Sequence, residues 1–177
     1  MDVIEPEETV AREVVFSGKL ITVRKETVSL PSGKTATREI VVHPEVVAIL
    51  PVLDDGRLVL VRQYRKSVDR ILLEIPAGGV DDGESPEDAV RREMVEETGY
   101  RVAATEHLCT FYTSPGFTTE KMHLYRATGL SPGEPTEETD QIEVVLMGPE
   151  EAASQVGQGE IEDAKTILAI LGYSLRS

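Results

Sequence analysis

Glu93, Glu96 and Glu97 recur at a spacing that gathers them on the last turns of one helix, where like charges repel. Ser85 can cap that helix, Pro86 suits its first position, Asp88 can complete a capping box, and Gly99 ends it. Acids at Glu87 and Asp88 meet the positive end of the helix dipole. Glu96 and Glu97 meet the negative end, each unfavourable by a few tenths to about 1 kcal/mol. Glu93 adds like-charge repulsion of roughly 0.2–0.5 kcal/mol per pair. A divalent cation offsets this directly, and clustered carboxylate oxygens, with a backbone carbonyl, water and substrate phosphate, describe a magnesium site. Ala89, Val90 and Met94 give the other side of the helix a core to grip. A run of acids is as often a solvated helix face, so the spacing has to decide.

The spacing is specific. Gly78, five residues, Glu84, seven residues, Arg92-Glu93-Met94, one residue, Glu96-Glu97, one residue, Gly99-Tyr100 resembles the Nudix box at every fixed position over residues 78–100. The resemblance implies hydrolysis of a nucleoside diphosphate linked to another group. It also implies a loop-helix-loop in an α/β/α sandwich on a mixed sheet. By the same analogy Glu93 and Glu97 are the main metal ligands, with Glu96 a further ligand or water contact and the Ala77 carbonyl an extra one. Arg92 then orients a glutamate, and Glu84 partners Arg92. The implied cofactor is magnesium, with manganese as the alternative. Two or three cations can neutralise a pyrophosphate, polarise phosphorus and lower the pKa of bound water.

Features outside the box resemble the ADP-ribose pyrophosphatase branch. They are Pro115, 16 residues after Gly99 in SPGFTTEK, together with VRQYR, LEIPAGG and the late IEVVLMGPEEA. In that branch a late acidic loop supplies a glutamate that positions or deprotonates the attacking water; counting back from IEVV gives Glu138, with Glu137 beside it. Thr139 and Asp140 stand where relatives carry more acids. Arg62 and Arg65 offer planar forks suited to phosphate or ribose. Glu74 can accept from ribose or adenine, and Phe117 can stack on a base. The resemblance further implies a homodimer formed through the segment before the core. The alternatives are another nucleotide sugar or dinucleoside polyphosphate as substrate, or a sensor that binds without turnover.

The elements that must position these residues follow from patterning. MDVIEPEETV has no period and reads as a frayed lead-in. Glu13 to His43 reads as a hairpin around Pro-Ser-Gly. Residues 1–44 are expected to form an N-terminal antiparallel β-hairpin segment, and the resemblance implies that 45–177 are the hydrolase domain, of α/β (α+β) class. VVAILPVL and RLVLVRQYR flank Asp54-Asp55-Gly56 as a second hairpin, the first strand apolar throughout as if covered on both faces. ILLEIPAGG reads as a strand running into a glycine turn, YRVAATEHLCTFYTS, KMHLYRATGL and QIEVVLM as further strands. PEEAASQVGQG and EDAKTILAILGYSL read as helices, the second with Ala164, Ile167, Leu168 and Leu171 on its apolar face.

Composition narrows the partners. Eighteen basic against 32 acidic residues leave a net charge of -14, which repels nucleic acid and anionic membranes. The expected partner is a small nucleotide. One cysteine, Cys109, forms no intrachain disulfide, and with no apolar leader the expected compartment is the cytoplasm.

Overall fold

The computed structural model describes residues 4–133 and 141–175. It divides into two compact units, residues 1–45 with 112–121, and residues 46–111 with 122–177.

In the first unit β1 (Glu8–Ser17), β2 (Thr22–Ser29) and β3 (Thr35–Val42) form an antiparallel sheet in that order. The expected Pro-Ser-Gly hairpin is the β2/β3 pair, in unbroken register from Thr22↔Val42 to Ser29↔Thr35. Gly33 closes its turn at φ +76°, a conformation side chains resist. The supposed lead-in differs from expectation: from Glu8 onward it is strand β1, paired with β2 through two register shifts. All ten of its residues are exposed. A strand with no buried face has no alternation to betray it. The 112–121 segment joins this unit by backbone bonds between Val41 and the 117–119 turn, Val41 N–H to Phe117 O (2.7 Å) and Thr119 N–H to Val41 O (2.9 Å).

The second unit is built on β4 (Val46–Pro51), every residue of which is buried. β4 lies between β7 (Ala77–Gly79), antiparallel to it, and β9 (Lys121–Pro132), parallel to it; β8 (Tyr100–Tyr112) completes this mixed sheet. Val47 and Ile49 pack with Ala89, Val90 and Met94 of α1 (Pro86–Thr98). Ala48 and Leu50 face the opposite way, into a core with Leu58, Leu60, Ile75, Met147, Ala169 and Ile170. That double coverage explains the unbroken apolar run. Beyond this second core run β5 (Leu58–Arg65), β6 (Arg70–Glu74) and β10 (Ile142–Met147), in the order β10-β5-β6, with α2 (Pro149–Gln158) and α3 (Ala164–Ser174).

Three expectations are corrected. The second hairpin is a turn only, since β4 and β5 leave Asp54-Asp55-Gly56 for different sheets, tied by the single bridge Val52↔Leu58. The two inner faces of a sandwich need separate sheets, and a turn signal alone does not reveal that. The Ala77-Gly78-Gly79 stretch is strand β7 where a glycine turn was expected. Finally, α3 is rotated: Lys165, Thr166, Ala169 and Ile170 are buried, whereas Ala164, Leu168 and Leu171 are exposed. Polar anchors set this rotation. Thr166 Oγ1 accepts from Ile75 N–H (2.8 Å) and donates to Asp163 Oδ2 (2.5 Å), and Asp163 caps the helix through Thr166 N–H.

Candidate active site

Helix α1 forms as its sequence directs. Ser85, in an extended conformation, accepts from Asp88 N–H (3.2 Å) and donates its hydroxyl proton to Asp88 Oδ2 (2.6 Å). Gly99, at φ 75°, closes the C-terminus by donating to Val95 O. The apolar side is fully buried, which turns Glu93, Glu96 and Glu97 toward β7 and the loop before the helix.

Arg92 organises that side. Its Nη1 donates to Glu93 Oε1 (2.6 Å) and Glu96 Oε2 (2.9 Å), while Nε and Nη2 grip both oxygens of Glu84 at 2.9 Å and Nη2 also meets Gly79 O (2.7 Å). The bonds to Glu84, with those to Glu93 and Glu96, raise the Arg92 pKa further, and Arg92 in turn lowers that of Glu84. Glu93 is 9 % exposed. Its carboxylate lies against Gly78, where a Cβ would fall 1.9 Å from Glu93 Cδ. No other residue at position 78 leaves that carboxylate in place.

Glu97 accepts from Ala77 N–H at 3.3 Å. Burial, and then the neighbouring Glu93 charge, push its pKa up to about 7. Two carboxylates held together out of water behave this way when no cation offsets them. Among the described residues no three His, Cys, Asp or Glu side chains already converge as a metal cluster. The donor set nonetheless fits a hard divalent ion: carboxylate oxygens only, one carboxylate cradled by a missing Cβ, another poised near neutrality.

At the end of β5, Arg65 meets Glu74 of β6 in a two-pronged pair, Nε to Oε1 and Nη2 to Oε2, both 2.7 Å. Arg65 also lies close enough to Glu97 to lower the Glu97 pKa. Glu74 differs from its expected role. It is 1 % exposed and bonded to Lys165 besides Arg65, so its oxygens face inward and not toward a ribose or adenine. Arg62 is exposed and bonded to Glu143 of β10 (2.7 Å). In the first unit Pro115 lines a cavity of about 520 Å³ with His43, Tyr112, Thr118, Thr119 and Lys121. Phe117 is 54 % exposed in the adjoining turn. Glu137 and Glu138 lie outside the described residues. Sequence reasoning missed Lys165, which sits on α3 where an apolar stripe was expected; a lysine inside an apolar run carries no signal without the register of the helix.

Comparison with known proteins identifies the family. A NUDIX domain model matches residues 42–170, and a model of the nucleoside diphosphate sugar hydrolase N-terminal domain matches residues 7–41. An ADP-ribose pyrophosphatase of Bacillus subtilis (strain 168) is 45% identical over 173 residues, covering 96% of this chain and 94% of its own. A GDP-mannose pyrophosphatase of Cronobacter sakazakii is 43% identical over 129 residues, 67% of each chain. A crystal structure of an ADP compounds hydrolase superposes with a TM-score of 0.89 over 99% of this chain and 96% of that one, at 23% identity. A fully formed box on α1, a sandwich of the matching fold and a domain match across most of the sequence lead to one conclusion: the chain belongs to the Nudix family and is a pyrophosphohydrolase.

Proposed function

We propose that this enzyme hydrolyses ADP-ribose to AMP and ribose 5-phosphate with magnesium. The observation that carries the substrate is the 45% identity, across nearly the whole of both chains, to an ADP-ribose pyrophosphatase. The water oxygen bonds to one phosphorus as the bridging P–O bond to the other phosphate breaks, the bridging oxygen leaves with the departing phosphomonoester, and the two protons of the water pass to solvent near neutral pH.

In this reading Glu93 and Glu97, with the Ala77 carbonyl and Glu96, hold the cation. A divalent ion held there would supply charge neutralisation for the diphosphate and a lowered pKa for water. Arg92 fixes the glutamates through its bonds to Glu84, Glu93 and Glu96. Arg65 supplies a guanidinium edge to a phosphate or ribose oxygen, with Arg62 as a second cation on the same strand. Pro115 and Phe117 contribute to nucleoside recognition, and Glu138 or Glu137 removes the proton of the attacking water. A second copy of the chain covers β1, a strand with every residue exposed.

Phosphate release through a coupled phosphatase, over ADP-ribose, GDP-mannose, NADH, diadenosine polyphosphates and dNTPs with and without magnesium, tests the substrate. Fastest turnover is expected on ADP-ribose, abolished by chelation. Preference for GDP-mannose transfers the assignment to that sugar, and tight binding without turnover makes the chain a sensor.

A further inference from the structure

Behind the site runs a chain of charges: Asp163, Lys165, Glu74 and Arg65. Lys165 is 7 % exposed, its ammonium bonded to Glu74 Oε2 and lying 3.0 Å from Asp163 Oδ2. Glu74 is 1 % exposed and Arg65 reaches both of its oxygens. Burial works to raise the Glu74 pKa, yet Arg65 and Lys165 together hold it below the usual carboxylate range. Buried pairs of this kind are seldom kept for stability, since apolar replacements of similar volume often do as well or better.

We propose that Lys165 is a positioning residue for substrate binding: by fixing the Glu74 carboxylate it sets the plane of the Arg65 guanidinium. The geometry is directional. Lys165 takes the same Glu74 oxygen, Oε2, that receives Arg65 Nη2, so the carboxylate cannot swing toward either cation without losing the other. Arg65 therefore commits Nε and one Nη2 proton inward, and among the described residues Nη1 has no bonded partner. With the side chain 39 % exposed, this leaves an outward edge suited to a phosphate or ribose oxygen. Lys165 is held in turn by α3, which Thr166 pins to the Ile75 N–H. Removing the ammonium leaves Arg65 as the cation nearest a buried carboxylate, draws the guanidinium inward and turns the outward edge away.

The inference rests on the reading of Arg65 as a substrate contact, and a double-mutant cycle tests it. Lys165→Met in the full chain is expected to reduce kcat/KM about 10–100-fold, as loss of a supporting partner typically does, mainly by raising KM. In an Arg65→Ala background the same change should cost less than about threefold, since the residue it positions is gone. Equal losses in both backgrounds overturn the proposal. Should Lys165→Met fail to fold, Lys165→Met with Glu74→Gln removes the stranded carboxylate, and its kcat/KM should fall to that of Arg65→Ala; wild-type activity there overturns the proposal. A wild type inactive on ADP-ribose would end that substrate assignment alone, because the cycle can be read on whichever diphosphate sugar is turned over. Exchange of the Arg65 guanidinium protons in NMR needs no substrate: with Nε bonded to Glu74 and Nη1 facing outward, fast exchange at Nη1 is expected in wild type and slowed exchange in Lys165→Met as the group turns inward, and unchanged Nη1 exchange contradicts the proposal.

Discussion

Gly78 and Glu93 separate stability from activity at the level of single atoms. The three atoms nearest a Cβ at residue 78 all belong to the Glu93 carboxylate, so Gly78→Ala can be accommodated by swinging the carboxylate aside. Thermal stability should change by less than about 1 kcal/mol in unfolding free energy. Activity should fall about 10–100-fold if Glu93 holds the cation as proposed, since its carboxylate loses its place. Calorimetry beside a rate assay checks both. Glu97 gives a pH prediction whose sign is fixed by its pKa of about 7, above the ordinary carboxylate value. The folded state holds that proton more tightly than the unfolded chain, so in chelator this group's contribution makes stability decline as pH rises from about 4.5 to 7, and the decline should flatten above. Glu97→Gln should abolish that segment of the Tm-against-pH curve, and in wild type magnesium affinity should rise through the same range as the proton is displaced. The box itself was legible because glutamates crowded at a helix C-terminus conflict with both dipole and neighbours. Glu74 was not, because LEIPAGG says nothing about which face of β6 is buried or that Lys165 waits opposite.

Elements were legible where one physical signal determined them. Capping residues placed both ends of α1, and an apolar run without alternation announced a strand covered on both faces. They were illegible where a distant partner decided the outcome. The rotation of α3 is the clearest case: its leucines suggest a stripe through Leu168 and Leu171, yet Thr166 and Lys165 take the inward positions because Ile75 N–H and Glu74 await them. Thr166→Val keeps the shape but strands the fully buried Ile75 N–H, and should cost about 1–3 kcal/mol in urea unfolding. Thr166→Ser should retain most of the stability, having kept the hydroxyl. The separation of β4 and β5 has the same origin. Their turn is local, but the sheet each joins is chosen by β9 and β10, far along the chain.

For the molecule as a whole, β1 poses a question that its unit does not answer. Val10, Val14, Val15 and Phe16 are each more than half exposed on a strand paired along one edge alone. Such an edge invites pairing with another chain. Light scattering should give about twice the 19.4 kDa of one chain, and Val14→Glu with Phe16→Glu should shift the mass to that of a monomer. The pattern of MDVIEPEETV did not foretell the start of this strand, since exposed residues carry no periodicity, whereas its end, from Glu13, falls in the stretch read as a hairpin. The account depends above all on the acidic cluster of α1 gathering cations that hold a diphosphate. Anomalous diffraction from crystals grown with manganese and a non-hydrolysable ADP-ribose analogue tests it most directly. A peak within bonding distance of Glu93 and Glu97 and of the analogue's diphosphate is the expected result; an ordered analogue with no peak at those carboxylates would contradict it.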